Sequence, residues 1–391
     1  MELYHSIDIL VALTFIAVQA RITYLLARAA SRRWTGRSYA IALAAIAVFD
    51  AAIVAGYIFS FSQVVASLTF PRLGTYLAAG ALFYLLLASA VLVLHWLLGV
   101  VRKRLEKPAD PTRRRILTAA GNAVLATPFA VVGYGSLIER TNFHTREIDI
   151  HIPNLPPDLE GLRIAQISDI HLSPFLTERQ FARVIDSANE LRPHLAAITG
   201  DLISTHGDPI DAAIRQLARL KTEAGVYGCM GNHDSYAGAT DYIESEAARL
   251  GMRFLRGAAQ PLKFGAATLN LAGQDYEPKS KKPHYLAGAE NFVLPGAVNI
   301  LLQHNPDVFP TAVRKGYNLL LAGHTHGGQV TVEILDRAIS PAFFFTPFVY
   351  GLYRDGGASA YVTRGIGTIG IPARLGAPPE LSLLRLTGKN A

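Results

Sequence analysis

The chain has 391 residues, half of them apolar and only 17% charged, with a mean hydropathy of +0.25; it is too apolar for a disordered chain or an ordinary soluble domain. Residues 1–140 carry 14 Lys/Arg against 6 Asp/Glu, whereas the remaining 251 carry 23 against 24, so the whole positive excess lies in the apolar third. This argues against a nucleic-acid reader, whose basic patch belongs on the domain that reads, and the lone cysteine, Cys229, excludes an intrachain disulfide and a cysteine-based zinc cluster.

Four apolar stretches, at 8–27, 38–60, 73–100 and 116–137, have the length of about 20 residues that a bilayer-crossing helix needs. The third is the cleanest, with His95 its only ionisable residue; the fourth is the weakest, interrupted by Asn122, Pro128 and glycines. Arg21 lies near the end of the first, where a long side chain can snorkel to the headgroups. Asp50, in the middle of the second, reads as a hydrogen-bonded carboxyl joining helices, since no second acid lies nearby.

Between these stretches the basic residues alternate. Arg28, Arg32, Arg33 and Arg37 lie in the first loop, only Arg72 in the second, and a dense cluster including Arg102, Lys103, Arg104, Lys107 and Arg113–Arg115 in the third. The positive-inside rule places the first and third loops in the cytoplasm, so the fourth span delivers the rest of the chain to the outer, periplasmic side. The run Arg113-Arg114-Arg115-Ile116-Leu117 also resembles an internal twin-arginine export signal; read instead as arginines flanking a helix, it gives the same topology. The expected organisation is a multi-pass transmembrane region over 1–137, a linker over 138–159 and a second domain over 160–391.

From residue 160 short strands alternate with amphipathic helices. The strand Leu162–Ser168 runs into Asp169-Ile170-His171, and a helix over 177–191 carries Phe181, Val184, Ile185 and Leu191 on one face. The strand Leu195–Thr199 ends in Gly200-Asp201; after a helix over 208–222, the strand Val226–Met230 ends in Gly231-Asn232-His233-Asp234. The strand Val298–Gln303 ends in His304-Asn305, and Leu319–Ala322 ends in Gly323-His324-Thr325-His326. Strand, turn and helix repeated in this way read as α/β, and such sheets place their sites at the carboxyl ends of strands.

Each ending alone is weak, because Gly-Asp is a turn signal and a lone histidine is usually a satisfied polar group. Turns, however, do not need five histidines, and five such endings in one domain point to chemistry. Two cations roughly 3.5–4 Å apart can clamp the oxygens of a phosphate and activate water between them. Mixed nitrogen and oxygen donors without sulfur suit Mn, Fe or Zn.

These five motifs, in this order, resemble the signature of calcineurin-like metallophosphoesterases. The likeness runs over about 160–390 and includes Gly365-Ile366-Gly367-Thr368, Pro372-x-Arg374 and Pro378-Pro379-Glu380. With the apolar spans, it is similar to the branch of transmembrane proteins with a metallophosphoesterase domain. The resemblance implies a β-sandwich flanked by helices, preceded by an all-α transmembrane region of about four helices. It implies Asp169, His171 and His326 on one metal, Asp201 between two, and Asn232, His304 and His324 completing the second. His233 resembles the acid that protonates the leaving oxygen.

One position departs. Relatives often carry, three residues after the bridging aspartate, another aspartate facing that histidine; here it is Ser204. Asp234 and Asp208 are candidate replacements; otherwise His233 is less strongly oriented.

Cys229 reads as a packed core thiol. Arg364 and Arg374 are candidates for a bidentate phosphate contact or for a structural role. Lys279, Lys281 and Lys282 form a solvated basic run that could also approach an anionic lipid surface. The expected activity is hydrolysis of a phosphomonoester or phosphodiester, with the bilayer and a phosphate-ester substrate (a lipid or glycolipid among the candidates) as partners and no nucleic acid. A narrower alternative is hydrolysis of UDP-2,3-diacylglucosamine in lipid A synthesis, which this branch resembles but whose UDP-linked substrate belongs on the cytoplasmic side. An inactive scaffold or sensor is the remaining alternative, and it has no need of seven intact ligand positions.

Overall fold

The computed structural model describes residues 2–61, 84–85, 87–100, scattered positions between 119 and 131, 133–334 and 337–388. The chain divides into two compact units with the boundary after Tyr134, apart from residues 370–372.

In the first unit, helix α1 spans Glu2–Arg33 and α2 spans Gly36–Phe61. Residues Leu87–Val100 form a further apolar helix, α3. The expected spans at 8–27 and 38–60 thus fall on α1 and α2, while residues 73–83 and most of 116–137 lie outside the described residues. Among the described residues, one stretch, Gly36–Ala55, is long and apolar enough to cross a bilayer. Apart from Arg37 at its start and Asp50 it is almost wholly apolar, with Ile41 and Val48 exposed at 62% and 71%, a surface that suits lipid better than water. Asp50 on α2 accepts hydrogen bonds from Gln19 Nε2 (2.5 Å) and Thr23 Oγ1 (2.8 Å) of α1, so the carboxyl does join helices. Phe15, Ile22, Tyr84, Leu85 and Ala88 pack around that contact.

The second unit opens with β1 (His144–His151), followed by β2 (Arg163–Ile167), α4 (Glu178–Glu190) and β3 (Leu195–Thr199). Next come α5 (Ile210–Leu217), β4 (Val226–Cys229), α6 (Asn232–Tyr236), α7 (Thr240–Arg249) and β5 (Arg253–Phe254). A hairpin of β6 (Ala258–Phe264) and β7 (Ala267–Gly273) leads to β8 (Val298–Leu302), α8 (Phe309–Arg314) and β9 (Leu319–Ala322). The chain continues with the β10–β11 hairpin (Val332–Ile334, Arg337–Ile339), β12 (Gly351–Asp355), β13 (Ala358–Val362) and β14 (Glu380–Thr387).

Two six-stranded sheets result, ordered β1-β14-β2-β3-β4-β5 and β12-β13-β9-β8-β7-β6. Within the first, β2, β3, β4 and β5 run parallel; within the second, β7, β8, β9 and β13 do. Ile164, Ala197 and Cys229 from one sheet meet Leu271, Ile300 and Leu321 from the other in a shared apolar layer. The outer face of the first sheet buries Phe181, Val184 and Ile185 of α4 and Ile214 and Leu217 of α5; that of the second buries Phe309 and Ala312 of α8. This is a mixed α/β sandwich with helices on both sides, and strands whose two faces are both covered are largely apolar without alternation, as Leu195–Ile198 of β3 and all of β9 are. Cys229 is a core thiol, pushed up in pKa by burial.

Helix α4 begins where its sequence says it should. Thr177 Oγ1 accepts from Gln180 N–H, and Gln180 Oε1 accepts from Thr177 N–H, a reciprocal capping box. Residues 138–159, expected as a linker, contain β1, which pairs in parallel with β14 from His144–Glu380 to His151–Thr387. The correction has a physical reason: β1 is an edge strand, His-Thr-Arg-Glu-Ile-Asp-Ile-His, largely exposed and polar enough to read as a connection.

Candidate metal centre

The parallel strands of both sheets point their carboxyl ends to one place, and each expected residue sits just beyond a strand: Asp169 and His171 after β2, Asp201 after β3, Asn232 after β4, His304 after β8, His324 and His326 after β9. Gln166 on β2 ties the sheets together at that end, donating to the Ala322 carbonyl (2.9 Å) and Thr199 Oγ1 (3.1 Å). The loops are strained. Asp169, His171, Asp201, His324 and His326 have φ of +50°, +45°, +56°, +75° and +53°, a region that costs non-glycine residues about 1–3 kcal/mol each and persists only where the surroundings impose it.

Two glycines let the loops approach. A Cβ at Gly231 would lie 2.0 Å from Asp201 Oδ1, and one at Gly323 would lie 2.1 Å from Ser168 Oγ and 2.2 Å from Asp169 Oδ2. The Gly231-Asn232 and Gly323-His324 pairs are therefore packing requirements as well as turns.

Donor atoms of Asp169, His171 and His326 all lie within 4.8 Å of one another, and so do those of Asp169, Asp201 and His304. His171 Nε2 stands 3.2 Å from His326 Nε2 and 3.5 Å from Asp201 Oδ2, while His326 Nε2 is 3.3 Å from Asp169 Oδ1. His304 Nε2 lies 3.1 Å from Asp201 Oδ2 and 3.9 Å from Asp169 Oδ1. The His324 ring is 5.1 Å from that of His304, and its backbone N–H donates to both oxygens of Asp169 (3.0 and 3.1 Å). Asn232 Oδ1 is buried with no hydrogen-bond partner among the described residues, an orphan acceptor that a cation would satisfy.

Behind the donor atoms stands a set of orienting contacts. The Thr199 carbonyl accepts from His304 Nδ1 (2.6 Å) and Ser204 Oγ meets His171 Nδ1 (3.0 Å), leaving each Nε2 turned inward. Asp234, fully buried, accepts from the backbone N–H of Asp201 (2.8 Å), Leu202 (2.9 Å) and Gly231 (2.9 Å), so it holds the Asp201 loop rather than His233. Asp208 accepts from Ser204 N–H (3.1 Å) and Thr205 N–H (2.9 Å). What faces His233 is the Ser204 main-chain carbonyl, 2.9 Å from Nδ1. The aspartate expected at 204 is thus replaced by a neutral acceptor that fixes the same ring without a charge.

Protonation follows from burial. It pushes His171 and His324 down to about 3, against the pull of Asp201, and holds His326 well below its ordinary value. Neutral imidazole is the form that ligates metals. Burial also pushes Asp169 up to about 6, although His304 opposes it. At His304 burial alone would lower the pKa, but Asp201 and Asp169 outweigh it and push the ring up to about 10. Burial likewise raises Asp201, yet the charge and hydrogen bond of His304 hold it below the carboxylate range. Two buried carboxylates call for positive charge: His304 is the ring they would protonate, and a bound cation would take over that role and leave its Nε2 free to ligate.

The two arginines part company. Arg374 is fully buried, its guanidinium donating to the carbonyls of Gly365, Gly367, Ala377 and His326, and burial pushes it down to about 10. It staples the C-terminal loops to the His326 turn and has no face left for a substrate, which corrects the phosphate-contact alternative in favour of the structural one. Arg364 is half-buried, its guanidinium stacked 4.3 Å over the Tyr350 ring, with Nε unpartnered among the described residues. Tyr276, which carries no sequence signal, places its ring 5.2 Å from His324 and 6.1 Å from His304.

Residues 162–328 match the family model for calcineurin-like phosphoesterases. The chain is 30% identical over 285 residues to the metallophosphoesterase YkuE of Bacillus subtilis, covering 71% of this chain and 99% of that one. It is 31% identical over 329 residues to the transmembrane protein with metallophosphoesterase domain of Danio rerio, covering 81% and 72%. The chain belongs to the calcineurin-like metallophosphoesterases. Campylobacter jejuni has another relative, the metallophosphoesterase Cj0846, 32% identical over 256 residues, with 62% of this chain and 63% of that one covered. As a metallophosphoesterase the protein is a metal-dependent phosphoester hydrolase, and the inactive-scaffold alternative falls away.

Proposed function

We propose that this metallophosphoesterase holds two transition-metal ions, one on Asp169, His171 and His326, the other on Asn232, His304 and His324, with Asp201 shared. The convergence of these side chains from five strand ends supports the reading: buried carboxylates, neutral imidazoles and an orphan amide oxygen form a donor set with nitrogen and oxygen and no sulfur. Such a cation pair would supply Lewis-acid polarisation of a phosphoryl group and lower the pKa of water.

The chain's own residues do the rest. Asp201 is held in place by its N–H bond to Asp234 and by His233 N–H, which donates to its Oδ1 at 2.8 Å. His233, anchored through Nδ1 on the Ser204 carbonyl, carries on Nε2 the proton that the leaving oxygen takes, which requires the doubly protonated ring. Arg364, with its unpartnered Nε, offers a guanidinium to the phosphate oxygens. The substrate is a phosphomonoester or phosphodiester.

The protein is anchored in the membrane through several spans, α2 among them, and its catalytic unit lies on the outer side of the cytoplasmic membrane. The apolar stretch Gly36–Ala55, the names of its relatives and the alternation of arginine-rich and arginine-poor loops support this. Full-length protein in detergent should hydrolyse p-nitrophenyl phosphate or its bis-ester only with a divalent transition metal. An undiminished rate after exhaustive chelation refutes the metal reading. A reporter fused after Ala391 tests the topology: activity confined to the cytoplasm refutes the outward placement.

A further inference from the structure

Between the β10–β11 hairpin and β12, the chain makes a short 3-10 turn, Pro341–Phe344, followed by Phe345. Phe343, Phe344 and Phe345 are consecutive and exposed at 45%, 91% and 71%. The turn is fixed at both ends. At its root Ser340 Oγ accepts from Ala342 N–H (3.3 Å) and packs so tightly on the turn after His326 that a Cβ at Gly328 would lie 1.8 Å from it. At its exit Thr346 Oγ1 donates to Asp307 Oδ1 (2.5 Å), and Thr325 Oγ1 donates to the Val349 carbonyl. The aromatic tip is therefore held out on a firm base beside the metal centre, and water is a poor solvent for it.

The second observation is charge. The exposed 3-10 segment Lys279–His284 carries Lys279, Lys281 and Lys282, and Lys279 Nζ donates to the carbonyl of Phe345, which joins the basic segment to the aromatic tip. Among the described residues no ion pair engages these three lysines. Three lysines with no carboxylate partner among the described residues, beside three exposed phenylalanines, make a surface that fits a lamellar partner with an apolar interior and an anionic face. An apolar protein partner would leave the lysines without counter-charge, and a polyanion would leave the rings in water.

We propose that Phe343–Phe345 and Lys279–Lys282 form a docking surface through which the catalytic unit rests on an anionic lipid bilayer, the rings entering the acyl boundary and the lysines meeting the headgroups. It rests on the membrane anchoring proposed above, because an anchored unit meets the bilayer at high effective concentration. The surface would bring the rim of the site to phosphate esters carried in the bilayer.

The test uses the full-length chain in lipid nanodiscs of phosphatidylcholine, alone or mixed equally with phosphatidylglycerol. Cys229 is fully buried, so a thiol-reactive environment-sensitive fluorophore goes to an introduced cysteine. Phe344→Cys should give a blue-shifted emission quenched by shallow spin-labelled lipid, about twofold or more stronger in the anionic discs. Lys281→Gln with Lys282→Gln should remove that difference; Lys279 is left alone because it braces the turn. Val48→Cys, on α2, reports the anchoring separately, and Tyr242→Cys gives the solvent baseline. Quenching at Val48 with a water-like, unquenched label at Phe344 overturns the docking surface while leaving the anchor intact. Shielding found only in discs that hold two copies assigns the turn to self-association and overturns it too.

Discussion

Asp234→Asn separates two roles for a buried acid next to the candidate general acid. Asp234 Oδ2 accepts from Asp201 and Gly231, and Oδ1 from Leu202, at 2.8, 2.9 and 2.9 Å. Asparagine keeps one oxygen for the first two N–H groups but sets its own N–H₂ against Leu202 N–H, so one charge-assisted bond is lost and two are weakened. Hydrogen bonds to charged groups contribute about 1.5–3 kcal/mol each. Against that loss stands a relief: burial, followed by the charge of Asp201, pushes the Asp234 carboxyl up to about 6, and the neutral amide escapes that desolvation. The expected net destabilisation is about 1–3 kcal/mol by equilibrium unfolding. Asp201, whose φ of +56° depends on that scaffold, should shift, and metal affinity should fall roughly 10–100-fold, the usual effect of losing a contact behind a metal ligand. Competition with a chromogenic chelator measures it. Unchanged affinity and stability, combined with a rate loss confined to esters with poor leaving groups, would instead make Asp234 the partner of His233 and overturn its role in holding the Asp201 loop.

Gly231→Ala should lose metal and activity together, because the new Cβ falls on Asp201 Oδ1 and overpacking costs about 1–3 kcal/mol; normal metal content by elemental analysis would count against the close approach. His233→Asn should keep its metal, lose little rate on p-nitrophenyl phosphate and lose roughly 10²–10⁴-fold on an alkyl phosphate, where a protonated leaving oxygen matters. Equal losses on both esters would make His233 structural. Arg374→Met strips the guanidinium from four carbonyls and should cost at least about 3 kcal/mol of stability, whereas Arg364→Ala should raise KM several-fold and leave the unfolding midpoint in place. A reversed pattern would exchange their assignments.

Much of the catalytic unit was legible because its central strands are buried on both faces. Leu195–Thr199 and Leu319–Ala322 are uninterrupted apolar runs ended by glycine, and the structure starts and stops them at those residues. The helix at Glu178 was equally plain from the amphipathic spacing of Phe181, Val184 and Ile185. The polar edge strand β1 was not, since it owes its existence to pairing with β14, 236 positions away at Asp149–Arg385. Side chains of the candidate centre could be read because the chemistry demands particular residue types. The acceptor behind His233 could not, because a main-chain carbonyl is supplied by any residue, and Ser204 marks only the absence of the expected carboxylate. Arg374 failed as a phosphate ligand for a related reason: sequence gives its charge but not the carbonyl cage that uses it. In the apolar third, hydropathy located α1 and α2, and the contact of Asp50 with Gln19 and Thr23 agrees with the carboxyl expected to join helices.

Two metal positions that share Asp201 are the core of the proposed centre; its Oδ2 lies 3.5 Å from His171 Nε2 and 3.1 Å from His304 Nε2. Elemental analysis of metal per chain, on full-length protein and on Asp201→Ala loaded and dialysed side by side, tests it most directly. The wild type should hold a pair of transition-metal ions, and Asp201→Ala should lose both together. His171→Ala should vacate one position and leave the other partly filled. Retention of the full pair by Asp201→Ala would contradict the shared carboxylate and, with it, the assignment of the centre.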